Sequence, residues 1–325
     1  MSSDIAKKDT RILAGDAAAI AEAAAVLSRG GLAAFPTETV YGLGARADDP
    51  RAVASLYAAK GRPSFNPLIA HVCDLAAAKR LGVFPAVALS LAEKFWPGPL
   101  TLVVKSDGNG VCELARAGLA TVAIRVPSHP LARALLGAVD FPIVAPSANR
   151  SGHVSPTTAA HVAEDLSGRI DLILDGGPSE GGIESAIVDC SGEAPRLLRS
   201  GGTAREVIET ITGPLAAAGT EEISAPGMMT SHYAPKARIR LDAATVHPGE
   251  ALLAFGPALP AGAENAGKTL NLSARGDLTE AASNLYASLR ALDAGGAEVI
   301  AVAPIPGNGL GEAIRDRLRR AATPR

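Results

Sequence analysis

The chain has 325 residues, 47% of them hydrophobic and 20% charged, with a formal net charge of −2. That make-up fits a globular protein of one large or two smaller domains. It excludes a strongly basic, tail-driven nucleic-acid binder while leaving room for a local basic cleft.

Three cysteines, Cys73, Cys112 and Cys190, stand far apart with no C-x-x-C pair. This argues against a zinc site or a disulfide scaffold and for a reducing compartment. The opening MSSDIAKKDTRILAG lacks an apolar run of signal-peptide length, and no stretch reaches the ~18 apolar residues of a membrane span. A cytoplasmic protein without membrane contact is expected.

DAAAIAEAAAVLSR predicts a helix ending at Gly30-Gly31, followed by a strand through LAAFPTETVYGLG. Asp49-Pro50 reads as an N-cap with proline at the first helical position, so RAVASLYAAK is expected to be helical with Gly61 as its C-cap. Strands are expected at PLIAHV, LTLVVK, TVAIRVP, PIVAPSAN, DLILDGG, SAIVDC and PRLLR, with helices around PAVALSLAEKFW and HPLARALLGAV. A helix from Thr203 through AREVIETI closes a first domain over residues 1–212. Alternating helices and strands place it in the α/β class. Residues 213–237 are rich in Gly, Pro, Ser and Thr without periodicity and read as a linker. A second, smaller α/β domain over 238–325 follows, with strands at ARIRLD, ALLAFG and EVIAVAPI and helices at TEAASNLYASLRAL and EAIRDRLRRAA.

KGRPSFNPL, residues 60–68, places Lys60, Arg62 and Asn66 on a loop stiffened by two prolines. Each residue before a proline is pushed towards extended backbone, so the stretch suits a pre-organised clamp for a polyanion such as a nucleotide phosphate chain. An exposed helix end with incidental charges is the alternative at this point. Thr37 and Thr39 share a face if FPTETVYGLG is one strand. On TVAIRVP, Thr121, Ala123 and Arg125 share a face, as for an anion facing a cleft or for an edge strand with one solvated face. In APSANRSGHVSPT, Ser147 and Asn149 lie two apart, and Ser155-Pro156 resembles a helix start, which can hold a phosphate although most such starts bind nothing. Ser185 and Arg199 stand out in glycine-rich GIESAIVD and LLRSGG, and His232-Tyr233 inside the linker. PGNGLG at 306–311 is a lone dinucleotide-like pattern, and P-loop, HExxH and GxSxG motifs are absent.

In order along the chain, FPTETVYGLG, K-x-R with NPL-x-x-H, WPGPLT, T-x-x-x-R-x-P and PSAN with SPT resemble the YrdC-like family. GIESAIVD, LLRSGG and GMMTSHYAP are similar to its longer members, the two-domain threonylcarbamoyl-AMP synthases. The resemblance implies a YrdC-like twisted mixed sheet with a concave cleft, a Rossmann-like C-terminal domain, and a linker folded over the cleft as a lid. It implies formation of L-threonylcarbamoyladenylate and pyrophosphate from L-threonine, bicarbonate and ATP. That product serves threonylcarbamoyladenosine modification of tRNA next to the anticodon, through a downstream transferase machinery.

Matched position by position, Thr39, His71, Arg125, Ser185 and the Ala145 backbone would hold threonine. Arg62, Asn66, Thr121, Ser147, Asn149, Ser155, Arg199 and Tyr233 would hold ATP, with Lys60 and Arg62 as the catalytic cations. Mg²⁺ would arrive with ATP, without a tightly bound metal held by the protein. Ala186 stands where the family pattern has Thr, which touches only the packing beside Ser185. The runner-up reading is a double-stranded RNA-binding module using the basic cleft, with the C-terminal RDRLRRAATPR as its best support. A carbamoyl-transfer role in hydrogenase maturation would need zinc-finger and acylphosphatase-like regions that the sequence lacks.

Overall fold

The computed structural model describes residues 7–217 and 233–323. Most of the expected lid, including His232, lies outside the described residues. The large sheet contains β1 (Arg11–Ala14), β2 (Ala33–Phe35), β3 (Gly42–Arg46), β4 (Ile69–His71), β5 (Gly82–Val83), β6 (Leu100–Ser106), β7 (Thr121–Arg125), β8 (Ile143–Val144), β9 (Leu172–Asp175), β10 (Ala186–Asp189), β11 (Arg196–Arg199) and β12 (Ala216–Ala217). Their order is β1-β9-β2-β3-β8-β4-β7-β6-β10-β11-β12, with β5 paired to β6. Parallel pairs such as β4–β7 and β6–β10 alternate with antiparallel ones such as β6–β7, so the sheet is mixed.

Helices α1 (Ala17–Ser28), α2 (Pro50–Lys60), α3 (Leu75–Lys79), α4 (Ala86–Phe95), α5 (Pro130–Gly137), α6 (Ala159–Leu166) and α7 (Arg205–Thr212) connect these strands. α1 starts where the Asp16 side chain accepts from the Ala19 N–H, and α2 where Asp49 accepts from Arg51 N–H. The period of two along the strands sorts the central sheet into two faces. Ala70, Ile124, Leu102 and Val188 join Leu56, Leu91 and Val162 in the main core, whereas Ile69, Ala123, Val103, Ile187 and Leu198 form a separate small apolar patch. His71 and Arg125 share the strand parity of that second face.

Three sequence-based expectations change. LAAFPTETVYGLG is two antiparallel strands, β2 and β3, because Pro36 ends the first and Thr37 closes a turn. The Thr37 hydroxyl donates to the Val40 carbonyl at 2.6 Å and lies 2.8 Å from the Thr39 hydroxyl. Ser155-Pro156 does not start a helix: α6 begins at Ala159, capped by Thr158, whose hydroxyl accepts from His161 N–H. Ala216–Ala217, read as linker, pairs in parallel with Arg196–Leu197 at the sheet edge. Ala186 is fully buried, and its N–H donates to Pro99 at 3.0 Å.

The second sheet is entirely parallel, in the order β13 (Arg238–Arg240), β16 (Val299–Val302), β14 (Ala251–Ala254), β15 (Thr269–Asn271). α8 (Leu278–Asp293) and α9 (Leu310–Ala322) complete this Rossmann-like unit. Its core does not stop at its own sheet. Leu253, Leu285, Tyr286, Ile300 and Ile314 belong to one buried cluster with Val40, Val154 and Ile183 of the larger unit.

Candidate active site

α2 delivers the first cations. The chain leaves the helix through Gly61, whose φ of 61° is the left-handed turn that favours glycine. Lys60 is 3% exposed, and its ammonium donates to the Ser147 carbonyl at 2.6 Å and to the Asn149 carbonyl. Burial, then the neighbouring Arg62, pushes its pKa well below the usual lysine range. Lys60 therefore ties the loop around 147–149 to the end of α2. Arg62 projects further: its Nη2 donates to the Pro67 carbonyl at 3.1 Å, and its buried Nε has no partner. Among the described residues no carboxylate pairs with it, and burial lowers its pKa to about 10.

Register sets the second group. His71 pairs with Arg125 across β4 and β7, so both reach the same end of the patch. Arg125 donates to the Glu38 carboxylate at 2.7 Å, and Glu38 also accepts from Ser128 N–H at 3.1 Å. Burial pushes Glu38 up, but Arg125 and the hydrogen bonds more than offset it, so its pKa lies below the ordinary value. His71 is buried, with Nδ1 3.1 Å from the Ile69 carbonyl and its ring edge-on to Phe35. Burial and then the Arg125 charge lower it to about 3, so the ring is neutral at physiological pH.

The third group comes from the loop before β10 and from β11. Arg199 donates to the Ser185 carbonyl at 2.9 Å and its hydroxyl at 3.2 Å, and that hydroxyl lies 2.7 Å from the Thr101 hydroxyl. Next to it, Glu184 accepts from Ser155 Oγ at 2.7 Å, Tyr286 OH at 2.8 Å and Arg317 Nε at 2.8 Å. Burial opposes its ionisation, yet Arg317 and Arg199 hold it at about 2. Tyr233 adopts a φ of 64° and stacks on Tyr286 with ring centres 5.6 Å apart.

These groups line a cavity open to solvent, whose empty space together with its mouth is about 470 Å³. Thr39, Arg62, His71, Arg125, Ala145, Ser147, Ser185, Arg199 and Tyr233 all line it, as do Val40, Ile69 and Glu184. The remaining sequence candidates do not. Lys60 is held by carbonyls, and Asn149 Nδ2 donates to the Arg150 and His153 carbonyls while its Oδ1 is buried without a partner. Asn66 lies buried below the Arg62 loop, its carbonyl accepting from Tyr57 OH at 3.0 Å. Ser155 is spent on Glu184, and Thr121 sits at the far end of β7, paired with Lys105. Glu38, Glu184, Tyr286 and Arg317 were missed by sequence reasoning. The two glutamates carry a signal, an acidic residue inside an apolar, Gly-flanked stretch; nothing local in α8 or α9 marks the other two. Among the described residues no group of three or more His, Cys, Asp or Glu side chains is placed to hold a metal ion.

Residues 25–201 match the Sua5_yciO_yrdC family model, described as "Telomere recombination". Residues 203–323 match the model described as "Threonylcarbamoyl-AMP synthase, C-terminal domain". A threonylcarbamoyl-AMP synthase of Bacillus subtilis is 42% identical over 320 residues, covering 93% of this chain and 92% of the relative. One of Pyrococcus abyssi is 40% identical, covering 92% and 93%. The crystal structure of P. abyssi Sua5 complexed with L-threonine superposes with a TM-score of 0.85 at 36% identity, covering 97% of each chain. With its two domain models and its fold in agreement, the chain belongs to the Sua5/YciO/YrdC family, in the two-domain form that carries the Sua5 C-terminal domain.

Proposed function

We propose that this chain is a nucleotidyltransferase that makes L-threonylcarbamoyladenylate and pyrophosphate from L-threonine, bicarbonate and ATP. The observation that carries the reading is the convergence of Arg62, Arg125 and Arg199 on one cavity, with Arg62 half-buried, its Nε buried without a partner, and no carboxylate paired with it among the described residues. A desolvated guanidinium with a buried, unpartnered nitrogen is costly unless an anion arrives to meet it.

The chemistry asks for such a site. The amine of threonine, once deprotonated, attacks bicarbonate to give a carbamate and water. A carbamate oxygen then attacks the α-phosphorus in line with the leaving pyrophosphate. Every partner is anionic, so fixed cations offset the repulsion and stabilise charge developing on phosphorus. Arg125 and Ser185 suit the threonine side of the cavity, and Arg62, Ser147, Arg199 and Tyr233 the nucleotide side. His71 is neutral and, with a pKa of about 3, serves as a wall and hydrogen-bonding group rather than a base. Glu38 and Glu184 are both engaged by arginines, so Mg²⁺ enters as part of the substrate MgATP. The proposed setting is the cytoplasm, with the adenylate passed on for tRNA modification.

The test is pyrophosphate release with ATP, bicarbonate and a panel of amino acids, with the product mass read directly. Release that requires threonine and bicarbonate, with the mass of threonylcarbamoyl-AMP, is the expected outcome. Release independent of either co-substrate would overturn the reading.

A further inference from the structure

We infer that Arg317, on α9 of the smaller domain, is a positioning residue for the nucleotide side of the cavity, acting through Glu184 on Arg199 and directly on the Tyr233 ring. The inference rests on the function proposed above.

Arg317 is fully buried although it is a long cation. Its Nε donates to Glu184 at 2.8 Å, its Nη2 to the Ser200 carbonyl at 3.0 Å and its Nη1 to Asp316 at 2.8 Å. The same guanidinium lies 5.5 Å from the centre of the Tyr233 ring. Tyr286, from α8, gives its hydroxyl to both oxygens of Glu184 and its face to Tyr233. One carboxylate in the cavity wall is therefore held by two groups from the other domain, and it passes that order on to the Ser155 hydroxyl.

A simple domain clamp would not need this arrangement. The interface already has the Arg205–Glu312 pair at 2.6 Å, the Arg290–Asp165 pair at 2.7 Å and a Gly309 N–H donated to Glu206 at 3.1 Å. None of those groups lines the cavity, whereas Glu184 and Tyr233 do. Burying an ion pair is also a poor way to gain adhesion, because desolvation consumes most of the Coulombic attraction. What the pair does supply is a fixed direction for Glu184. Without Arg317, Glu184 is left facing Arg199, the second cation that holds it ionised. Glu184 would then draw Arg199 away from Ser185 and leave Ser155 without a fixed acceptor. The left-handed backbone at Tyr233, uncommon for a bulky residue, is held in place by the same stack.

The experiment compares the full-length protein with the paired variant Glu184→Gln/Arg317→Met and with Tyr286→Phe. The paired variant removes both charges of the Arg317–Glu184 pair together, so neither member is left facing an empty site. Tyr286→Phe deletes one hydroxyl, keeps the stack and serves if the paired variant is too unstable to purify. KM for ATP and KM for threonine are measured separately, with thermal unfolding alongside. The expected split is a rise of about tenfold or more in KM for ATP in the paired variant, and of about threefold in Tyr286→Phe, with KM for threonine within about twofold. An unchanged KM for ATP, or equal losses for both substrates that track the loss of Tm, would reduce Arg317 to a structural clamp. Should the wild-type protein make no threonylcarbamoyl-AMP, the proposed function falls. Titration with a non-hydrolysable ATP analogue then decides the positioning role by the same comparison.

Discussion

At the scale of single residues, the two cations of the KGR stretch do different work. Lys60 is buried and Arg62 half-buried, and Lys60 spends its ammonium on the Ser147 and Asn149 carbonyls. Arg62 has one bond to the Pro67 carbonyl and an unpaired Nε. The cation proposed to meet the phosphates is therefore Arg62, and Lys60 is proposed to shape the loop that faces it. Arg62→Ala is expected to lower the rate of adenylate formation by about 10²-fold or more, the scale of losing a preorganised charge-stabilising donor. Its Tm should stay close to wild type, because a desolvated cation with few bonds contributes little to folding. Steady-state pyrophosphate release and a thermal melt on one preparation check both halves. A large drop in Tm would mean that Arg62 is structural.

At the scale of elements, the site depends on how α2 ends and on strand parity. Gly61 has φ 61°, and a Cβ there meets nothing within 4 Å. Gly61→Ala therefore tests backbone strain alone. It is expected to cost about 1 kcal/mol of stability and to raise KM for ATP, because Lys60 and Arg62 flank the strained residue. Gly61→Asn, which tolerates the left-handed region, should recover most of both losses; denaturant melts and ATP titrations read the outcome. Parity explains why His71 and Arg125 converge from two strands, since the period of two places them with Ile69 and Ala123, and Ser185 joins them from the loop that enters β10. The expected single strand through LAAFPTETVYGLG obscured Glu38, because side-chain direction in a turn does not follow the strand alternation.

At the scale of the whole molecule, buried ionisable groups tie stability to pH. His71 has a folded pKa of about 3 against an ordinary 6.5. Below pH 6.5 the unfolded chain takes up a proton that the native state refuses, so stability falls between pH 6.5 and 3. Glu184 has a folded pKa of about 2 against 4.5, so its contribution is complete above pH 4.5 and is lost as the pH falls towards 2. Each group contributes a slope of up to about 1.4 kcal/mol per pH unit inside its window. Urea melts from pH 7 to 4 should show a decline that begins near 6.5 and steepens below 4.5. His71→Asn should flatten the upper part, and an unchanged upper slope would contradict a buried neutral imidazole. In the basic C-terminal helix, the best support for RNA binding, three arginines are engaged internally, Arg317 with Glu184, Arg320 with Asp316 and Arg315 with the Ile305 carbonyl, while Arg319 is exposed. The glycine-rich PGNGLG loop likewise meets a carboxylate of the larger unit, Glu206, at the start of α9.

The sequence by itself determined the helices with caps, the apolar strands and the ordered motifs that revealed the family. These are local signals: Asp16 and Asp49 cap within two or three residues, and Ile69–His71 or Thr121–Arg125 alternate over a few positions. The same motifs named nine residues that line the cavity. Tertiary structure alone decided which polar groups face the ligand space and which hold the frame, because Lys60, Ser155 and Asn149 look alike in sequence whether or not a carbonyl or carboxylate waits nearby. It alone brought Arg317 and Tyr286 to Glu184, across 133 and 102 positions of chain. No pattern within α8 or α9 encodes that meeting. It follows from two apolar cores merging into one, which forces the polar groups at their seam to satisfy each other.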